Sequence, residues 1–238
     1  MFRRRLLILA ALLVALAGLW TAAAFQQQPG VQPLTGRHIA GVCGAGPCAT
    51  WLERPEREQE ENPDGALDAL NLKPGMVVAD VGAGTGYMSL KLAKRVGPGG
   101  KVYAEDVQAE MLDKVRANAA KAGVSNIQTV QGTFTDPKLP KGQMDLILLV
   151  DVYHEFSEPQ KMLQGIRDAL KPDGRLVLLE YRKEDPNIPI NPDHKMSVSE
   201  VKTELEAEGF KLGPVIETLP RQHILILTKA AAAKAAGR

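Results

Sequence analysis

A chain of 238 residues, 45% apolar and 24% charged, can bury the core of one α/β domain and is neither disordered nor fibrous in composition. A net charge of +1 and an aromatic content of 5% exclude a strongly basic polyanion-binding surface and an aromatic platform for nucleic acid. Without the arginines at positions 3 to 5, 26 basic residues face 28 acidic ones, which weakens any pull on a polyanion further.

Arg3, Arg4 and Arg5 precede an uncharged run from Leu6 to Leu19, followed by Trp20, Thr21, Ala22, Ala23 and Ala24. This is the basic, apolar and small-residue order of a secretory signal, with cleavage expected after Ala24. Two other readings stay open. The stretch from Leu6 to Phe25 also suffices to span a bilayer with the arginines inside, or the start codon is misplaced. Signal and anchor both put the folded domain in the periplasm or on the inner membrane, and membrane contact is expected only through this segment. Residues 25–52 are rich in Gln, Gly and Pro and read as a linker. They contain both cysteines, Cys43 and Cys48. In an oxidising compartment these would close a disulfide loop; the alternatives are free thiols, or a metal pair joined by His38.

The domain is expected over residues 53–229. Glu53 to Glu61 reads as an exposed charged helix and Pro63 to Leu70 as a short amphipathic one. Strands and helices then alternate. Met76–Val81 is strand one and Thr85–Val96 a helix. Lys101–Glu105 is strand two and Ala109–Ala122 a helix. Asn126–Val130 is strand three, and the very apolar Met144–Val150 is strand four. Pro159–Leu170 is a helix and Arg175–Glu180 strand five. A proline-rich loop covers Arg182 to Lys195, and Ser197 opens a helix to Glu208. Lys211–Thr218 and His223–Thr228 close as a strand pair, and 230–238 is a tail with nothing to bury. This alternation predicts a doubly wound, mostly parallel sheet with an antiparallel C-terminal addition. Ligands of such sheets sit beyond the C-terminal strand ends.

At the end of strand one stands Asp80, then Gly82-Ala83-Gly84-Thr85-Gly86. Glycines at alternate positions let a backbone approach a ligand where a Cβ would collide. The order is Gly-x-Gly-x-Gly after an acid, not the Gly-x-Gly-x-x-Gly of dinucleotide folds. The acid favours a cationic or uncharged ligand group over a pyrophosphate. Strand two ends in Glu105-Asp106, where an acid can grip ribose hydroxyls; Asp106 is the preferred candidate.

Three segments together resemble the class I S-adenosylmethionine-dependent methyltransferases, nearest to the small bacterial type that includes quinone-ring methylases. They are Val-Ala-Asp-Val-Gly-Ala-Gly-Thr-Gly, Val-Tyr-Ala-Glu-Asp-Val-Gln-Ala-Glu-Met-Leu and Leu-Lys-Pro-Asp-Gly-Arg-Leu-Val-Leu-Leu-Glu. The resemblance runs from about Pro63 to Lys229. It implies a seven-stranded Rossmann-like sheet with a reversed last strand and S-adenosylmethionine as cofactor. It carries the methionine-side turn onto Asp80, Gly82, Ala83, Gly84, Thr85 and Gly86, and the ribose acid onto Asp106. Where the family often has an acid for the adenine amine, this chain has Thr133, with Phe134 beside it as a cover for the ring.

Strand four opens into Asp151-Val152-Tyr153-His154-Glu155-Phe156. Methyl transfer depends largely on positioning the nucleophile, and a base is needed only if that nucleophile must lose a proton. His154 has the intrinsic pKa for the task, and Asp151 and Tyr153 could orient cofactor or substrate. Tyr181, Arg182 and His194, around the loop after strand five, are candidate acceptor contacts. Arg221 and His223 could also face the pocket, whereas Lys183 and Lys195 read as solvated. No metal is expected at this site. The functional readings are a methyltransferase for a small-molecule acceptor or a non-catalytic cofactor-binding or scaffold domain, exported or anchored. A nicotinamide-dependent oxidoreductase is disfavoured by the glycine spacing.

Overall fold

The structure, a computed structural model, describes residues 30–231. The signal or anchor expected at 1–24 and the tail from 232 onward lie outside the described residues. Helices α1 (Pro47–Leu52), α2 (Arg57–Glu61) and α3 (Pro63–Ala69) precede β1 (Val77–Val81). Then come α4 (Tyr87–Val96), β2 (Lys101–Asp106), α5 (Ala109–Lys121), β3 (Ile127–Gln131) and β4 (Met144–Val150). The chain continues through α6 (Pro159–Ala169), β5 (Leu170–Arg182), β6 (Lys195–Met196), α7 (Val198–Ala207), β7 (Phe210–Ile216) and β8 (Gln222–Lys229).

The sheet order is β3-β2-β1-β4-β5-β8-β7, with β6 pairing β5. The seven expected strands are all present; the eighth, β6, forms because the loop after β5 returns along it, pairing Tyr181 with Lys195 and Arg182 with Met196. Strand β8 runs antiparallel to both β5 and β7 and so is the reversed strand. Strand β5 begins at Leu170 rather than Arg175, because Leu170 already pairs with Met144 before a shift in register.

Period-two alternation divides the core between the two faces. Ala79, Val81, Ile147, Leu149, Leu176 and Leu178 pack against Leu163 and Ile166 of α6 and Val201 and Leu205 of α7. Val78, Leu146, Leu148, Val177 and Leu179 pack against Leu67 of α3 and Leu92 and Val96 of α4. Each fully buried leucine or valine contributes about 1.5–3 kcal/mol. Helix α7 starts at a capping box: Ser197 Oγ accepts from Glu200 N at 3.1 Å, and Ser197 N donates to Glu200 Oε2 at 2.9 Å.

Residues 30–52 are not a free linker. Val31 and His38 form a β-bridge, Ala40 N donates to His154 O at 3.1 Å, and Arg37 is buried against Glu204 of α7. Composition misleads here because the segment is fastened by polar contacts instead of an apolar stripe. The charged stretch that follows is likewise less exposed than expected, since Arg57 and Glu61 are buried and paired at 2.7 Å.

Candidate active site

Beyond the C-terminal ends of β1, β2, β4 and β5 lies a cavity of about 360 Å³. Its floor includes Gly82 and Gly84, which hold φ of 72° and 54°, conformations that side chains disfavour. A Cβ on Gly82 would stand 2.5 Å from Val152 Cγ2, and one on Gly84 2.7 Å from Leu52 Cδ1. The other turn residues serve the fold. Gly86, with φ of 86°, lets the first turn of α4 pack on Val115 of α5, and Ala83 and Thr85 are buried without lining the cavity.

Asp80 also lies off the cavity. It shares the sheet face of Val78, so alternation aims it at α4, where Ser89 Oγ donates to it at 2.6 Å. Burial pushes its carboxyl up to about 6 from 3.8, against the Ser89 hydrogen bond. The folded state therefore holds this proton more tightly than the unfolded chain. The associated stability is complete below pH ~4 and is lost as pH rises through about 6. Asp80→Asn keeps an acceptor for Ser89 and removes that loss. Urea titrations should show the variant gaining on the wild type by about 2–3 kcal/mol between pH 4 and 8; parallel pH profiles would refute the assignment.

Both acids of β2 line the cavity, one on each side of the glycine turn. Asp106 Oδ2 accepts from Gly84 N and its Oδ1 from Gln108 N, each at 2.9 Å. Glu105 Oε2 takes a longer bond from Gly82 N at 3.4 Å, while its Oε1 is buried with no partner. Gly132 leaves that oxygen its space, because a Cβ there would collide with it. Burial, then the Asp106 charge, raises the Glu105 carboxyl well above its usual range. Phe134 lines the cavity; Thr133 does not, because its hydroxyl closes a turn by accepting from Asp136 N at 3.0 Å.

At the end of β4, Asp151 is held at φ of 53°, a strained conformation of the kind that clusters at functional sites. Its Oδ2 accepts from Gln222 Nε2 at 2.7 Å, and its Oδ1 is buried without a partner. Burial, then the charges of Glu61 and Glu180, raises this carboxyl well above its usual range. His154 Nδ1 lies 2.7 Å from Oε2 of the fully buried Glu180, whose Oε1 accepts from Tyr153 N at 3.0 Å. Burial disfavours the His154 imidazolium, but Glu180 outweighs it and raises the pKa above 6.5. His154 Nε2 faces His194 Nδ1 at 3.1 Å. Burial raises the Glu155 carboxyl to about 7, and burial, then His154, lowers His194.

Tyr181 lines the cavity and donates to Glu61 Oε1 at 2.7 Å. Tyr153 does not line it; its hydroxyl turns under the floor and donates to Glu204 Oε2 at 2.9 Å. Arg182 is drawn away by the carbonyls of Leu219, Pro220 and Gln222. Arg221 pairs with Glu60 at 3.0 Å, and His223 is buried between Glu217 and Glu184 at 2.7 and 3.0 Å. Lys183 meets Glu200 at the surface, but Lys195 is buried and donates to Ile188 O at 2.6 Å. Sequence reasoning missed a whole wall of the cavity, which includes Val42, Cys43, Cys48, Trp51, Leu52 and Arg57. The cysteines are joined in a disulfide with Cα atoms 5.7 Å apart. The disulfide leaves neither sulfur as a thiolate ligand for the metal set with His38, which lies 3.8 Å from Asp193.

The strand order, the single reversed strand and the glycine-floored cavity at the strand ends define a Rossmann-like methyltransferase domain. A family model for a methyltransferase domain matches residues 72–220, and the chain belongs to that family. A solved structure of a SAM dependent methyltransferase from Aquifex aeolicus is 32% identical, with 75% of this chain and 95% of that one covered and a TM-score of 0.71. The ubiquinone/menaquinone biosynthesis C-methyltransferase UbiE of Vibrio vulnificus is 31% identical over 118 residues, which cover 49% of this chain and 45% of that protein. Nocamycin O-methyltransferase of Saccharothrix syringae is 32% identical over 112 residues, covering 47% and 40%. The chain thus spans less than half the length of these two curated relatives.

Proposed function

We propose that this chain is an S-adenosylmethionine-dependent methyltransferase acting on a small molecule. The observation that carries the reading is a single cavity lined by two kinds of group: a glycine floor with two carboxylates, and a histidine held by a buried glutamate. S-adenosylmethionine, when bound, supplies an electrophilic methyl group on a sulfonium.

The chain's own residues fit that ligand. Gly82 and Gly84 leave room for its methionine part, and Asp106 with Glu105 accepts from its ribose hydroxyls. Phe134 covers the adenine face. The partnerless Oδ1 of Asp151 is an acceptor for an ammonium or other donor, and a nearby cation would favour its charged form. His154 meets the acceptor: Glu180 keeps the proton on Nδ1, so Nε2 is the nitrogen that takes a proton from the incoming nucleophile, which must first displace His194 Nδ1 from it. Tyr181 and His194 border the acceptor space. The low polarity of Val42, Trp51, Phe156 and Met162 suits a small, largely apolar acceptor such as a phenol or hydroquinone.

Calorimetric titration of the purified full-length chain tests the cofactor. Saturable binding is expected with S-adenosylmethionine and S-adenosylhomocysteine and none with NAD; the reverse pattern would sink the reading. In the same assay Asp106→Ala should weaken donor binding roughly 10- to 100-fold, the cost of losing a charged hydrogen-bond acceptor.

We also infer that the domain acts outside the cytosol, in the periplasm or on the inner membrane. The support is the basic, apolar and small-residue order of residues 1–24, together with a disulfide of the kind that persists in oxidising compartments. No helix among the described residues is long and apolar enough to cross a membrane. Mass spectrometry of the protein from its native membrane and soluble fractions should find Phe25 as the first residue of a cleaved form; an intact, cytosolic N-terminus would refute export.

A further inference from the structure

We propose that His154, His194 and Glu155 bind a first-row divalent cation at the acceptor end of the cavity. All three line the cavity, and their ligand atoms lie within 4.8 Å of one another.

Nε2 of His154 and Nδ1 of His194 point at each other across 3.1 Å, with the rings at 80°. Two imidazole nitrogens bound to one cation at about 2.0–2.1 Å stand roughly this far apart when the angle at the metal is near 95–100°. The pair therefore already has the spacing of adjacent ligands. Without a cation, one of these nitrogens must carry a proton to bond the other; with one, both lone pairs are used.

The surroundings are those of a metal-bound histidine. Nδ1 of His154 gives its proton to Glu180 Oε2 at 2.7 Å, and Glu180 is fixed in turn by Tyr153 N. A carboxylate behind a histidine sets the tautomer and sharpens the other nitrogen as a donor to metal. Glu155 is held on one side only, through Cys43 N to Oε1 at 3.3 Å, which leaves Oε2 for a cation after a small side-chain rotation. The arginines nearby are already matched: Arg37 pairs with Glu204, Arg57 with Glu61, and Arg54 with Glu60 and Glu61.

Two imidazoles and one carboxylate favour zinc or iron(II) over magnesium or calcium, which prefer all-oxygen shells. Three protein ligands leave coordination positions open toward the cavity. If that cavity holds the acceptor, as the methyltransferase reading requires, the cation names the acceptor's class. It is a small molecule with an ionisable hydroxyl or thiol, which binds the cation as its anion and releases its proton to solvent. In the cation-bound protein His154 is a ligand; in the cation-free protein it is the proton acceptor.

The test uses the full-length chain, freed of metal with a chelator, and zinc as the probe. Calorimetry should give one equivalent of Zn²⁺, and Co²⁺ in its place should show visible absorption bands characteristic of nitrogen ligation. His194→Ala and Glu155→Gln should each weaken zinc binding at least tenfold, while S-adenosylhomocysteine affinity stays within about twofold as the check on folding. His38→Ala, which removes a histidine outside the cavity, should change neither. Absence of zinc binding in a wild type that binds S-adenosylhomocysteine would overturn the proposal, as would unweakened zinc binding in both variants. A wild type that binds zinc but no S-adenosylhomocysteine would keep the cation site and overturn the methyltransferase reading instead.

Discussion

Replacing His154 by alanine is expected to lower the rate of methyl transfer by two to four orders of magnitude while S-adenosylmethionine affinity stays within about threefold. That is the usual range for losing a positioned acid–base group, and it follows from where His154 stands. It lines the cavity with Glu180 behind it, while the glycine turn and the β2 acids are the groups proposed to hold the donor. Radiolabel transfer from the donor to a phenol or hydroquinone found by screening would measure it. Equal losses in rate and donor affinity would make His154 structural. Glu180→Gln separates positioning from mere packing. Glu180 raises the His154 pKa, so removing its charge should shift the acidic limb of the metal-free rate profile to lower pH. A purely structural role would lower the plateau and leave that limb in place.

Arg37→Ala should destabilise the protein by about 3–5 kcal/mol, the cost of leaving one member of a buried ion pair without its partner. Arg37 meets Glu204 through Nε and Nη2 at 2.8 and 3.0 Å, and Nη1 donates to His154 O at 3.1 Å. Glu204, 1% exposed, also accepts from Thr35 and Tyr153 hydroxyls at 2.6 and 2.9 Å. Removing the cation strands an anion that water cannot reach. Replacing both partners with apolar residues, Arg37→Met with Glu204→Leu, should recover only part of the loss, because the Thr35 and Tyr153 hydroxyls then lose their acceptor. Urea titration of the two variants beside the wild type would measure this. A single variant as stable as the wild type would mean that residues 30–52 are not integral to the domain.

The sheet was legible in the sequence because its signals are local. A short apolar run marked β1 and a very apolar one marked β4, and the turn glycines marked the strand-to-helix corner. Alternation would also have placed Asp80 on the α4 face, with Val78, had it been pressed one residue further. The histidine's partner was recoverable by a similar step. Val150 pairs with Leu179, so Glu180, the next residue of β5, lies near the residues just past the end of β4. What could not be read was the arrangement of residues 30–61. Its key contact joins Arg37 to Glu204, 167 positions apart, and no short-range pattern announces a single buried ion pair. The fates of Arg182 and Lys195 were hidden for a related reason. Arg182 read as an acceptor contact and Lys195 as solvated, yet both end on backbone carbonyls that the turns nearby leave free.

The cavity has two origins along the chain. The matched family region begins at residue 72, yet Val42, Trp51, Leu52, Arg54, Arg57 and Glu61 all face the interior from before it. One wall of the cavity and its floor therefore come from separate stretches of the chain. Substitutions confined to some twenty positions ahead of β1 can recast the shape and polarity felt by an incoming acceptor. The glycine corner, the β2 acids and the Glu180–His154 pair need not move.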